Sequence, residues 1–168
     1  MKNEGQIEIV SDVTIRQATG SDAYAIALMV HELLQEVMRE TNVPSFDVNV
    51  DLMHTQARQY IESRRYVVFL AIFEGREEPL GLLSVCECCA LYAGGAFGMI
   101  PECYVRTTFR SKGVGGKLIA AVKDYGKEKN WRRLEVTTPP LPTFQRTFRF
   151  YQQVGFDVSG GRKLKVSL

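Results

Sequence analysis

Residues 104–117 read YVRTTFRSKGVGGK, and the rest of the chain is organised around them. The stretch before them, residues 97–105, is largely apolar and strand-like. The stretch after them, residues 118–129 (LIAAVKDYGKEK), carries helix formers with an apolar stripe at Leu118, Ile119, Val122 and Tyr125. The glycines therefore lie on a strand-to-helix turn. Gly113, Gly115 and Gly116 can adopt positive φ and let a ligand approach bare backbone. The first N–H groups of the following helix lack intrahelical partners and sit at the positive end of its dipole. Arg110, Lys112 and Lys117 add side-chain cations. Together these features predict a site for a phosphate or pyrophosphate group.

Counting narrows the ligand. A Walker A loop needs Gly, four residues, then Gly-Lys-Ser/Thr. Gly116 and Lys117 would put the first glycine at Ser111 and the hydroxyl residue at Leu118, so both positions fail. A G-x-G-x-x-G fingerprint begun at Gly113 would need glycine where Leu118 stands, and it would need an early βαβ unit. The pattern that fits is Arg/Gln-x-x-Gly-x-Gly/Ala, present as Arg110, Ser111, Lys112, Gly113, Val114 and Gly115.

Composition excludes several function classes. A chain of 168 residues with 45% apolar content is one domain with enough length for a core. A net charge of +2 is too small to argue for nucleic acid or an anionic membrane as partner. No apolar run reaches membrane-spanning length. The start, MKNEGQIEIVSD, has no apolar signal-peptide core, so cytoplasmic residence is the expectation. Three of the four cysteines, Cys86, Cys88 and Cys89, crowd into one strand-like run, and Cys103 stands alone. Zinc sites take paired cysteines across a turn. Cys86 and Cys88 would project from one strand face and Cys89 from the other, so no metal is expected and small buried hydrophobes are the reading.

In chain order, residues 1–12 are expected to be a loose leader and residues 13–168 a single domain. Residues 13–18 alternate as a strand, and Asp22 to Arg39 read as a helix striped with Ala25, Ile26, Met29, Leu33, Leu34 and Val37. Residues 40–46 form a loop broken by Pro44, and residues 47–63 a second helix. Strands follow at 66–73, 80–90 and 97–105, the last with Pro101 inside it, which predicts a bulge or splay. After the glycine turn and its helix come a strand at 133–138, a short helix at 143–153, and closing strands at 156–158 and 163–166. Antiparallel hairpins mixed with one crossover predict a mixed α/β, or α+β, domain.

The Arg110-to-Gly115 pattern resembles the acetyl-CoA signature of the GNAT N-acetyltransferase superfamily. Two more stretches carry the likeness: Ile15, Arg16, Gln17, Ala18 and Thr19 followed by Asp22, and the FY-x-x-x-GF segment from Phe150 and Tyr151 to Gly155 and Phe156. Three separated matches in order span residues 13–166. The resemblance implies a GNAT-like fold, a mostly antiparallel sheet splayed between its fourth and fifth strands and flanked by helices. It implies an acyltransferase that moves acetyl from acetyl-CoA, leaving coenzyme A, to a primary amine by direct transfer.

The resemblance also implies residue roles. Backbone groups from Arg110 through Ser111, Lys112, Gly113, Val114 and Gly115, with Gly116 and Lys117 at the helix start, would hold the CoA pyrophosphate. Cys103, Tyr104 and Val105 would line the pantetheine arm, with the Cys103 N–H as an oxyanion donor. Tyr151 would protonate the departing thiolate. Glu102 at the strand end and Glu87 inside an apolar strand are the two candidates for general base, either raised in pKa by apolar surroundings. Met99 stands where many relatives carry a carboxylate, and Phe144 where many carry asparagine. The partner implied is a small-molecule or peptide amine, met by the first two helices, the 40–46 loop and the 91–96 turn. Many relatives dimerise, and a homodimer is compatible with the likeness. The alternative reading is a non-catalytic acyl-CoA-binding sensor or subunit of the same fold.

Overall fold

The computed structural model describes residues 12–44, 46, 48–160 and 163–166, so most of the expected leader lies outside the described residues. One compact unit ends at Thr137 and a second begins at Thr138. The first holds β1 (Val13–Gln17), α1 (Ala23–Thr41), α2 (Val50–Glu62), β2 (Val67–Phe73), β3 (Gly81–Ala90), β4 (Gly95–Ile100), β5 (Cys103–Val105), α3 (Val114–Glu128) and β6 (Leu134–Val136). Its sheet runs β1-β2-β3-β4-β6, with β5 also on β3. Every pairing is antiparallel except β4 with β6.

Helix starts follow from caps. Thr19 and Asp22 form a capping box before α1, and Asp22 also takes both amino groups of Arg16, at 2.7 and 2.9 Å. Asn49 caps α2 by accepting from the Leu52 N–H. α1 and α2 cover one face of the sheet, where Ala23, Ile26, Met29 and Ala57 meet Val68, Leu70, Leu82 and Tyr104. α3 packs on β2 and β3 from the other face, burying Leu118, Ile119 and Val122 and setting Tyr125 edge-on to Phe69 at 5.7 Å. Among the described residues no helix is long and apolar enough to cross a membrane.

β3 has two partners along one edge. Residues 81–83 pair with 105–103, and residues 86–90 pair with 99–95. Between these runs the β4–β5 side spends one residue more than β3, which makes a bulge at Pro101 and Glu102. Proline has no ladder donor, so the bulge falls where the sequence predicts it. β6 follows β4 only to Ile100 and Val136. Beyond that point β5 has left β6, which is the expected splay.

The second unit carries α4 (Gln145–Gln153). The closing strands expected at 156–158 and 163–166 are not strands: these residues are irregular. Val158, Leu164 and Val166 are exposed, so alternation there buries no face and no ladder forms.

Gly98 of β4 allows Trp131 and Leu134 to lie against the sheet; a Cβ there would stand 2.5 Å from the Trp131 ring and 2.6 Å from Leu134. Gly98→Val is expected to destabilise the fold by about 1–3 kcal/mol through overpacking, read as a lowered urea midpoint.

Candidate active site

The glycine turn is shorter than its sequence suggests. α3 begins at Val114, so Gly115 and Gly116 belong to its first turn and only Gly113 lies before it. Gly113 (φ 79°) and Ser111 (φ 60°) are both left-handed, just ahead of the helix start. Gly113 offers no side-chain cap. The Gly113 carbonyl accepts from the Lys117 N–H at 3.1 Å, so the N–H groups of Val114, Gly115 and Gly116 are the leading donors of α3. A Cβ added at Gly116 would meet nothing within 4 Å, so the first turn leaves open space beside its backbone. These donors at the positive end of a four-turn helix suit a pyrophosphate.

Two of the three cations expected to help have protein partners in the fold. Arg110 donates twice to the Glu36 carboxylate (2.8 and 2.6 Å), donates through Nε to the Val105 carbonyl (2.7 Å), and stacks over the Tyr104 ring at 5.4 Å. Lys117 donates to the Val13 carbonyl at 2.7 Å. Lys112 lies over the Phe109 ring at 5.6 Å. Arg106 repeats the Arg110 arrangement, reaching Glu32 at 3.2 Å and Glu78 at 2.5 Å. Arg106 and Arg110 are thus spaced like Glu32 and Glu36, and two parallel ion pairs bolt the loop to α1. The Arg110 guanidinium holds Glu36 below its ordinary range.

The two carboxylate candidates lie on opposite faces of the sheet. Glu102 sits in the bulge on the face covered by α1 and α2. Its Oε2 accepts from the Tyr66 hydroxyl and from the Ser84 hydroxyl, and its N–H donates to Ser84 Oγ at 3.0 Å. Burial pushes the Glu102 carboxyl up to about 7. Ser84 is buried to 1% exposure. Glu87 lies on the α3 face, exposed, with its Oε2 accepting from Trp131 Nε1 at 2.6 Å. The expected apolar enclosure of Glu87 is therefore absent.

Backbone directions in β5 follow from its ladder. The Glu102 carbonyl accepts from Ser84 N–H, and Arg106 N–H donates to the Leu80 carbonyl. Alternation then turns the Tyr104 backbone toward β3 and the N–H and C=O groups of Cys103 and Val105 toward the opposite edge. Tyr151, on α4 of the second unit, is buried between Phe150 (5.3 Å) and Phe156 (5.5 Å). Among the described residues, no three His, Cys, Asp or Glu side chains gather as a metal site.

The sequence reading missed Tyr66, Ser84, Glu32 and Glu36. Ser84 was visible as the polar residue in an apolar strand, and Glu32 with Glu36 as a spacing that mirrors Arg106 with Arg110.

The family model described as "Acetyltransferase (GNAT) family" matches residues 29–156. The chain belongs to the GNAT acetyltransferase family. Solved GNAT-type structures share its fold. An aminoglycoside acetyltransferase, meta-AAC0020 from an uncultured soil metagenomic sample, is 18% identical, with 95% of this chain and 99% of that one covered and a TM-score of 0.74. A ribosomal-protein-alanine N-acetyltransferase from Brucella melitensis biovar Abortus 2308 is 19% identical over 92% and 99%, with a TM-score of 0.68. The aminoglycoside N-acetyltransferase AAC(6')-Iy, in complex with CoA, is 17% identical over 92% and 94%, with a TM-score of 0.73. At these identities the likeness establishes the fold. No curated protein sequence matches the chain.

If the Glu36–Arg110 pair shapes the GNAT loop, Glu36→Gln and Arg110→Ala should weaken CoA binding by similar factors. The double variant should be no worse than either single one. Each should cost about 1–3 kcal/mol of stability. Calorimetric titration checks this; a phosphate-binding Arg110 would instead leave Glu36→Gln binding CoA normally.

Proposed function

We propose that the chain transfers an acetyl group from acetyl-CoA to a primary amine by direct attack, with Glu102 as the general base. The observation that carries the reading is the Glu102 carboxylate, set in the bulge beside β5 and raised to about 7. A base with that pKa is half ionised near neutrality, yet basic enough to accept a proton from an ammonium group.

Each group then has a task. N–H groups of Val114, Gly115 and Gly116 hold the pyrophosphate. Outward backbone groups of Cys103 and Val105 pair with the pantetheine arm, and the Cys103 N–H polarises the acetyl carbonyl. Glu102 takes the proton that the amine must lose. The amine nitrogen forms its bond to the carbonyl carbon, the carbon–sulfur bond breaks, and Tyr151 gives its phenolic proton to the thiolate. Support for Tyr151 is its match to the FY-x-x-x-GF segment and the acidity of a phenol. Tyr66 and Ser84 aim the Glu102 carboxylate and favour its charged form.

The acceptor would be met by α1, α2 and the chain between them. Tyr24, Val43, Phe46 and Leu52, all about half exposed, offer apolar surface there. An acceptor with an apolar or ring-bearing body beside its amine suits this lining better than a small polyamine.

Thiol release measured across an amine panel tests the proposal. The rate with a good acceptor should rise with pH through an apparent pKa near 7. Glu102→Gln should lower it by about 10²–10⁴-fold while CoA still binds. Tyr66→Phe removes a donor to the charged form, so the rising limb should move up by about one pH unit. The stability sign is opposite: the folded Glu102 pKa lies above its unfolded value, so the folded state holds the extra proton between about 4.5 and 7. Stability therefore falls as pH rises through that window, and Glu102→Gln should flatten the fall. Undiminished activity in Glu102→Gln would remove it as the base.

A further inference from the structure

We propose that the open edge of β3 beyond Val85 is a docking strip for an extended polypeptide segment that carries acidic side chains. β2 ends at Val67, opposite Val85, while β3 runs on to Ala90 with β4 on its other side only. The ladder alternation that turns Ser84 toward β5 turns the N–H and C=O groups of Glu87 and Cys89 toward this open edge. A strand edge of this kind is a template for another strand.

The near part of the edge, Val85 to Glu87, lines a cleft of about 630 Å³ whose walls come from both faces of the sheet, and Cys89 lies beyond that lining. Arg64 and Arg65, just past α2, stand on one side, and Lys129, at the end of α3, on the other. All three are exposed, and among the described residues none forms an ion pair. Glu87 also lines the cleft, and its carboxylate is taken by Trp131. Tyr66, Tyr125 and Trp131 supply aromatic surface between the charges.

Each feature selects part of the ligand. Backbone donors and acceptors at alternate positions ask for an extended main chain. Cations on both walls ask for carboxylates projecting to both faces, which a strand provides by its period of two. A free phosphate or small acid would use the cations and leave the edge amides idle. The strip lies on the side of β3 away from β5, and Tyr66, which donates to Glu102, is the residue common to the cleft and the proposed reacting edge. The strip would anchor an extended acidic segment of a partner protein, without touching the acetyl group.

The test uses the full chain and a fluorescein-labelled peptide alternating valine and threonine with glutamate, beside a copy with lysine for glutamate. Anisotropy should show the acidic peptide binding, the basic one failing, and binding weakening as salt rises. Arg65→Glu and Lys129→Glu should each weaken it about tenfold. Cys89→Pro removes an edge donor where a strand tolerates proline, and should abolish binding with an unchanged melting temperature. The proposal is overturned if the acidic peptide does not bind, if both peptides bind alike, or if the charge reversals have no effect. It is also overturned if sedimentation shows a dimer that Cys89→Pro dissolves, since the edge would then belong to a second copy.

Discussion

The structure turns on one extra residue. β3 needs a partner along its whole length, and the chain supplies it in two pieces separated by the bulge at Pro101 and Glu102. The piece before the bulge keeps β6 beside it, and the piece after does not. The same irregularity that frees the outer edge of β5 also pushes the Glu102 side chain among Tyr66 and Ser84. A local defect in hydrogen bonding thus sets both the free outer edge of β5 and the carboxylate beside it. A continuous strand at this place would close the first and turn Glu102 to a different face.

The second constraint is the pair of ion pairs between α1 and the loop after β5. Arg110 and Glu36 are about a quarter exposed, and their contact is bidentate. Such geometry is worth more than an exposed pair, because the planar fork loses little freedom on binding a carboxylate. Its consequence is positional. Arg110 is turned toward α1 and the Val105 carbonyl. The cationic character of the site then comes from the helix start more than from side chains.

Much of this was legible in the residues. The strand–turn–helix around Gly113, the two N-terminal helices, the hairpin and the break at Pro101 follow from periodicity and from proline's missing donor. What spacing could not show were contacts made across the fold. Arg110 looks like a phosphate cation until Glu36, far earlier in the chain, is found beside it. Lys117 reads the same way until it reaches the Val13 carbonyl. Glu102 and Glu87 are equivalent candidates on paper. Alternation along β3 sets Ser84 and Glu87 on opposite faces, but which face lies under α1 and α2 is a tertiary fact. The closing segments failed for the opposite reason: local β-pattern was present, and burial of a face was not.

In the proposed reaction, backbone donors at the first turn of α3 hold the cofactor's pyrophosphate. Gly115 lies inside that helix and not among the positive-φ glycines, so Gly115→Val places a branched side chain at the donors without backbone strain. Titrating CoA by calorimetry into the parent and this variant, with melting temperatures measured for both, tests whether these donors bind it. Binding by the parent, none by the variant, and similar melting temperatures are expected. Equal CoA affinity in the two proteins would contradict that role.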